Sequence, residues 1–174
     1  MTLMGMNQND FVLLVAPFKN KVFRLAKRLL ISTEEAEDAT QEVWVKLWNK
    51  NGSLCTYKSV EAFAMTLTKN YCLDQLKSKR TENSRIGSTV YSDKTTGLEK
   101  KMEDLDSLNW VAKIINQLPV QQRLIIQMRD IEQYEFEEIA VILDMKEAAI
   151  RVSLSRARRT IKESMTKTHN YGIR

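Results

Sequence analysis

Glycine and proline are scarce in this chain, five and two among 174 residues. Turn-dense all-β architectures need both at their many reversals. Here Leu, Lys, Glu, Ala, Met and Gln, which favour helix, are plentiful instead, and an all-α protein is expected. The two cysteines, Cys55 and Cys72, are too few for a disulfide framework. They lack CxxC spacing and neighbouring histidines for zinc, so both are read as reduced structural thiols. The single histidine, His169, sits in a polar tail. With no glycine-rich phosphate loop, no Ser, His and Asp set and no metal cluster, no catalytic residue, metal or cofactor is expected. No apolar run is long enough to cross a bilayer, and the N-terminus lacks the regions of a signal peptide. The expectation is a cytoplasmic protein without membrane insertion.

What the chain does have is apolar content and concentrated charge. Hydrophobic residues make up 43% and charged residues 28%, the balance of folded protein rather than of a disordered chain. Net charge is +5, with an isoelectric point near 9.2. Between Lys146 and Lys167, seven basic residues stand against Glu147 and Glu163, an excess equal to the whole net charge. A solvated helix face explains such clustering about as well as a polyanionic partner until the preceding residues are considered.

Periodicity divides the chain into two domains and a linker, at 7–80, 81–106 and 107–168. Apolar residues recur at steps of three and four from Phe11 through Leu14, Phe18, Val22 and Leu25 to Leu29. Pro17 lacks an amide hydrogen and clashes inside a helix, so one helix ends before it and another begins near it. Ser32 and Glu35 have the spacing of a capping box and open a helix to about Trp48. A polar turn at Asn51, Gly52 and Ser53 precedes a helix from about Val60 to Arg80 with Val60, Ala64, Leu67 and Tyr71 on one face. From Thr81 to about Asp106 the composition turns to Ser, Thr, Gly, Asp and Lys, which cannot bury enough apolar surface to offset ordering, and a flexible linker is expected. Periodicity returns at Leu108, Val111, Ile114, Ile115 and Leu118, and Pro119 opens a helix with Leu124, Ile125 and Met128.

The following run, EFEEIAVILDMKEAAIRVSLSRARRTIKE, has helix-turn-helix grammar. A short helix carries Ile139, Ala140 and Leu143, a tight turn lies at Asp144 to Lys146, and a longer helix carries Ile150, Leu154, Ala157 and Ile161. Ala140 is small, as close helix crossing requires. The second helix presents Arg151, Ser153, Ser155, Arg156 and Arg159 outward, a polar, basic face of the kind that enters a major groove. A bland helical hairpin would not need its basic residues concentrated on the second helix, so DNA binding is favoured.

These residues resemble region 4 of the extracytoplasmic-function sigma factors, whose typical form is EIAxxLGxxxGTVxSRLxRARxxL; the SRAR ending and the preceding LP start are the most specific features. The resemblance implies that Arg151, Val152, Ser155 and Arg156 face bases of the upstream promoter element, with Ala149 at the groove edge. Arg129, Ser153, Arg158 and Arg159 would lie nearer phosphates. This chain departs from the pattern twice. Asp144 replaces the turn glycine, tolerable because Asp accepts a left-handed backbone better than most residues. Ser153 replaces an arginine and removes a cationic contact.

AEDATQEVWVKLW, Ala36 to Trp48, resembles region 2.2 of the same family, and EAFAMTLTKNYCLDQLKSKR, Glu61 to Arg80, resembles regions 2.3 and 2.4. Physically, the first of these helices buries Ala36, Ala39, Val43, Leu47 and Trp44. It leaves Asp38, Gln41, Glu42 and Val45 on the opposite side. Single exposed apolar residues are ordinary. The resemblance, however, implies that this face docks on the β′ clamp coiled coil of RNA polymerase, and that the polymerase β flap is a further contact. In the next helix Lys69, Lys77, Lys79 and Arg80 supply charge for phosphates. Asn70 and Asp74 lie one turn apart, and Asp74 is read as structural because phosphates would repel it. Phe63 and Thr66 stand where the family commonly has Trp and Arg. The turn holding Tyr57 and Lys58 would capture a flipped base of the downstream element, and Tyr57 is equally read as core edge or stacking platform.

The resemblance therefore implies a sigma factor, not an enzyme, with core RNA polymerase and promoter DNA as partners and a membrane-linked anti-sigma factor as its restraint. Two weak DNA contacts on one scaffold gain from high effective concentration, so neither domain alone need bind tightly. The competing readings are a dimeric helix-turn-helix regulator that binds DNA without polymerase, an α-helical enzyme, and a protein-binding adaptor. The adaptor leaves the basic helix unexplained.

Overall fold

The structure, a computed structural model, describes residues 6–86 and 103–171, without the side chains of 82–86, 103–108 and 168–171. Among the described residues there are eight α-helices and no strand. Helix α1 (Gln8–Val15) starts where Asn7 Oδ1 accepts from the Asp10 amide at 2.9 Å. Pro17 falls in a 3-10 turn at Ala16–Phe18, and α2 follows as Lys19–Leu30. The α-helix is thus interrupted where the missing amide of the proline predicts. Ser32 caps α3 (Thr33–Asn49) by accepting from the Glu35 amide at 3.4 Å, while Glu35 turns its own carboxylate to Lys79. The expected polar turn after α3 is a 3-10 helix, Asn51–Thr56, closed by Ser53 and Thr56 hydroxyls donating to carbonyls three residues back.

Helix α4 runs Val60–Ile86, beyond the expected end at Arg80. Its most buried stripe is Ala64, Met65, Thr68 and Cys72, while Val60, Leu67 and Tyr71 are half-buried beside it. Against it lie Val22, Leu25, Ala26 and Leu29 of α2 and Ala36, Ala39, Val43 and Leu47 of α3. Full burial of a Leu or Val side chain is worth about 1.5–3 kcal/mol, so this three-helix seam fixes the N-terminal half. Helix α5 begins at Glu103, so α4 and α5 each reach into the 81–106 stretch, and residues 87–102 lie outside those described.

Helices α5 (Glu103–Gln117) and α6 (Val120–Ile126, capped by Pro119) lead into a π-helical turn, Gln127–Ile131. Helix α7 (Phe136–Leu143) opens with a reciprocal capping box between Glu135 and Glu138. It ends at Asp144, which takes the left-handed backbone (φ 53°, ψ 52°) expected at the glycine position. Helix α8 spans Glu147–Tyr171 and buries Ile150, Leu154 and Ala157 against Ile139 and Ile142 of α7 and Leu124 and Ile125 of α6.

Both cysteines are free, yet only Cys72 is a packing thiol; Cys55 is exposed, against the expectation that both are structural. Burial, then the negative charge of Glu35, pushes the Cys72 thiol up to about 12. Thiolate is the reacting form, so native protein treated with iodoacetamide at neutral pH is expected to gain one adduct, at Cys55, and two after denaturation. Intact-protein mass spectrometry reads both numbers.

Candidate nucleic-acid interface

Three groups of side chains are brought together by this frame. On α3, Asp38, Gln41, Glu42 and Val45 are all exposed and follow i, i+3, i+4, i+7 spacing, so they form one stripe opposite the buried alanines. Val45 is 54% exposed. Trp48 continues the stripe and meets Phe11 edge-on at 5.2 Å between ring centroids, while Trp44 turns inward against Phe18. Trp48 and Trp44 thus tie α3 to α1 and to the adjoining turn.

The second group lies on α8. Ala149, Arg151, Val152, Ser155, Arg156 and Arg159 are exposed along its outer face, and Ser153 is half-buried. Arg151 is held at two points: its guanidinium lies 3.8 Å from the centroid of the Phe136 ring and 3.3 Å from Glu147. Arg158, though exposed, is bidentate on Asp130, and the hydrogen bond to that carboxylate raises the pKa of the guanidinium. Arg129 donates to the Tyr134 carbonyl (2.7 Å) and the Glu135 carboxylate (3.0 Å) and lies 4.7 Å from Phe136. Arg129 and Arg158 thus build the unit as well as charging it, whereas Arg156 and Arg159 carry no ion pair among the described residues.

Part of the third group lies between α4 and α7. Tyr57 stacks on Phe63 with centroids 4.0 Å apart and planes 19° off parallel. Both, with Lys58 and Thr66, line a groove of about 420 Å³ whose other wall is Glu137, Glu138 and Val141 of α7. Thr66 donates to the Ala62 carbonyl at 2.9 Å, and Lys69 donates to the Ile142 carbonyl at 2.9 Å. Burial lowers the Lys69 pKa, with the negative charge of Asp144 acting the other way. Asn70, Lys77 and Arg80 stay exposed; Asp74 lies 3.7 Å from Lys77. Tyr57, Phe63, Thr66 and Lys69 are therefore half-buried towards the first helix of the helix-turn-helix unit, and the other four residues of the group are exposed.

The covering is held by polar contacts that sequence patterning does not reveal. Arg24 of α2 forms two hydrogen bonds to Glu132, at 2.7 and 2.6 Å, and these raise its pKa. Glu132 also accepts from buried Gln127 at 2.9 Å. Arg28 donates to Gln127 (3.1 Å) and Asn116 (3.0 Å), and Arg123 to the Arg28 carbonyl (3.4 Å). Burial lowers the pKa of both arginines, and the positive charge of Arg123 lowers that of Arg28 further. Glu61 of α4 pairs with Lys21 at 2.7 Å and accepts from the Tyr134 hydroxyl. Burial, then that hydrogen bond, raises the Tyr134 pKa.

Among the described residues no cluster of three or more His, Cys, Asp and Glu is placed to hold a metal ion, and no helix is long and apolar enough to cross a membrane. The family descriptions Sigma-70 region 2 and Sigma-70, region 4 match residues 14–82 and 108–161, together well over half of the chain. The ECF RNA polymerase sigma factor SigW of Bacillus subtilis is 22% identical over 91% of this chain and 90% of its own length. The ECF RNA polymerase sigma-E factor of Escherichia coli K12 is 26% identical over 89% of this chain and 86% of its own. Among solved structures, the sigma factor RpoE of Bartonella quintana, in complex with the anti-sigma factor NepR, aligns with a TM-score of 0.76 at 23% identity, covering 91% of this chain and 98% of that one. CnrH, in complex with the cytosolic domain of CnrY, aligns with a TM-score of 0.67 at 19% identity, covering 92% and 90%.

Proposed function

We propose a residue-level division of labour for this chain, which belongs to the extracytoplasmic-function family of sigma factors and so directs promoter-specific initiation by core RNA polymerase. The α3 stripe of Asp38, Gln41, Glu42 and Val45 docks on the β′ clamp coiled coil. The α8 face, led by Arg151, Val152, Ser155 and Arg156, enters the major groove of the upstream element, while Arg159 reaches phosphate. The group at Tyr57, Lys58, Phe63, Thr66, Lys69 and Asn70 takes the downstream element, with Lys77 and Arg80 along the backbone. The observation that carries this reading is the presence in one chain of an exposed α3 stripe and a helix-turn-helix whose second helix points its basic face outward. Good bidentate contacts to base edges give about 1–3 kcal/mol of discrimination each, and phosphate contacts add affinity without sequence.

Downstream capture has a geometric condition. The Tyr57–Phe63 stack and Lys69 sit against α7, so α7 must part from α4 before a strand can enter. Binding to the polymerase at two separate places supplies the force for parting, since each half then takes its own partner. Phosphodiester chemistry belongs to the polymerase, and the protein works in the cytoplasm. The two structural relatives were solved with an anti-sigma factor or with the cytosolic domain of a second protein, which supports a membrane-linked anti-sigma factor for this chain as well. Co-purification from native cells tests that element; recovery of polymerase alone under uninduced conditions counts against it.

Transcription in vitro with purified core polymerase and a genomic fragment library tests the whole reading. Discrete start sites are expected only when the protein is added, and purified protein alone is expected to retain promoter fragments weakly. Tight binding without polymerase, with unchanged start sites, would point instead to a dimeric regulator.

A further inference from the structure

Phe136 stands at the first position of α7, outside every group assigned so far, and its ring is shared by two cations from different elements. The Arg151 guanidinium of α8 lies 3.8 Å from its centroid and that of Arg129, in the π-helical turn, 4.7 Å. Arg129 cannot swing away easily, because it also holds the Tyr134 carbonyl and the Glu135 carboxylate. Glu147, one turn before Arg151 on α8, holds the second guanidinium from its own helix. Arg151 is thus fixed from both helices of the helix-turn-helix.

An arginine side chain left free loses several rotamers on binding, and its planar fork discriminates a base only when aimed. A ring face attracts a guanidinium and defines the plane in which it lies. We infer that Phe136 is a positioning residue for promoter recognition, aiming Arg151 at its base pair in the upstream element. The inference rests on the proposed role of Arg151 at the bases and adds to it a residue that does not touch DNA.

The test measures base preference at every position of the upstream element, using a randomised promoter library transcribed by reconstituted holoenzyme. Four variants are compared: Phe136→Leu, which keeps an apolar body without the ring; Phe136→Tyr, which keeps the ring; Arg151→Ala; and the Leu and Ala changes together. Phe136→Leu is expected to lower discrimination about threefold to tenfold, at the same base pair that Arg151→Ala relaxes. Phe136→Tyr is expected to restore it, and the double variant to be no worse than Arg151→Ala alone. A merely structural ring would instead lower activity evenly at all positions and add to the Arg151→Ala effect; either result overturns the inference. If Arg151→Ala leaves every base preference intact, the assignment of Arg151 to the bases fails, and the positioning role with it. If Arg151→Ala relaxes one position and Phe136→Leu none, only the positioning role fails.

Discussion

Changing Glu42 to lysine and Val45 to aspartate together is expected to weaken association with core polymerase by about 30-fold or more and to reduce promoter-specific transcription to background at ordinary protein concentrations. Both side chains are exposed on α3, and neither makes a hydrogen bond or ion pair among the described residues, so the folded chain loses nothing by the change. Surface substitutions of this kind usually stay within about 0.5 kcal/mol in stability. At a docking face the cost differs. An apolar residue surrounded by acidic and amide groups fits the centre of an interface, where a single hot-spot change costs about 2 kcal/mol or more. Glu42→Lys adds repulsion against any partner that accepts Asp38 and Glu42, and Val45→Asp sets a charge that must be desolvated where an apolar side chain stood. Fluorescence anisotropy with labelled protein and core polymerase reads the affinity, and a thermal melt checks the fold. An unchanged affinity would place the polymerase contact on another face.

The second large effect is in the helix-turn-helix core. Ile139→Ala removes a side chain with no solvent exposure from the α7–α8 contact, where Ile142, Ile150 and Leu154 cannot close around the gap without moving the recognition helix. Truncations of this size cost about 2–5 kcal/mol, a large part of the margin of a small helical protein. Urea denaturation followed by circular dichroism should show the midpoint fall, and upstream-element recognition should fall with it. Val141, two positions along on the opposite side of α7 and 72% exposed, provides the contrast: Val141→Ala should move the midpoint little. Equal effects at the two positions would mean that α7 packs by another face.

Local rules were readable in the residues. Pro17 separates two helices, Ser32 starts a third, Pro119 starts α6, and Asp144 adopts the left-handed turn that glycine takes elsewhere in the family. Each depends on one residue's backbone preference or on a spacing of three or four, which sequence displays directly. The exposed stripe of α3 and the outer face of α8 were readable for the same reason. Contacts between the two halves were not. Arg24 and Glu132 are 108 residues apart, and nothing in the periodicity around either names its partner. The roles of Glu61 and Tyr134 depend on such a pairing, while those of Phe136 and of Arg158 with Asp130 depend on contacts within the C-terminal half that no helical period relates. The expected end of α4 at Arg80 followed a change in composition, but a helix already nucleated and packed on one face extends through polar residues at little cost.

If the Tyr57 and Lys69 surface takes a strand as proposed, the meeting of α4 with α7 makes the chain's affinity for single strands a product of two quantities. One is how well the Tyr57 and Lys69 surface grips a strand. The other is the fraction of molecules in which that surface is uncovered. An isolated chain that is open one time in a hundred would show a dissociation constant about a hundredfold weaker than its intrinsic one. Any ligand that prefers the separated halves therefore raises the apparent strength of a strand contact it never touches. By reciprocity, a strand that has entered tightens the hold of that ligand by the same factor.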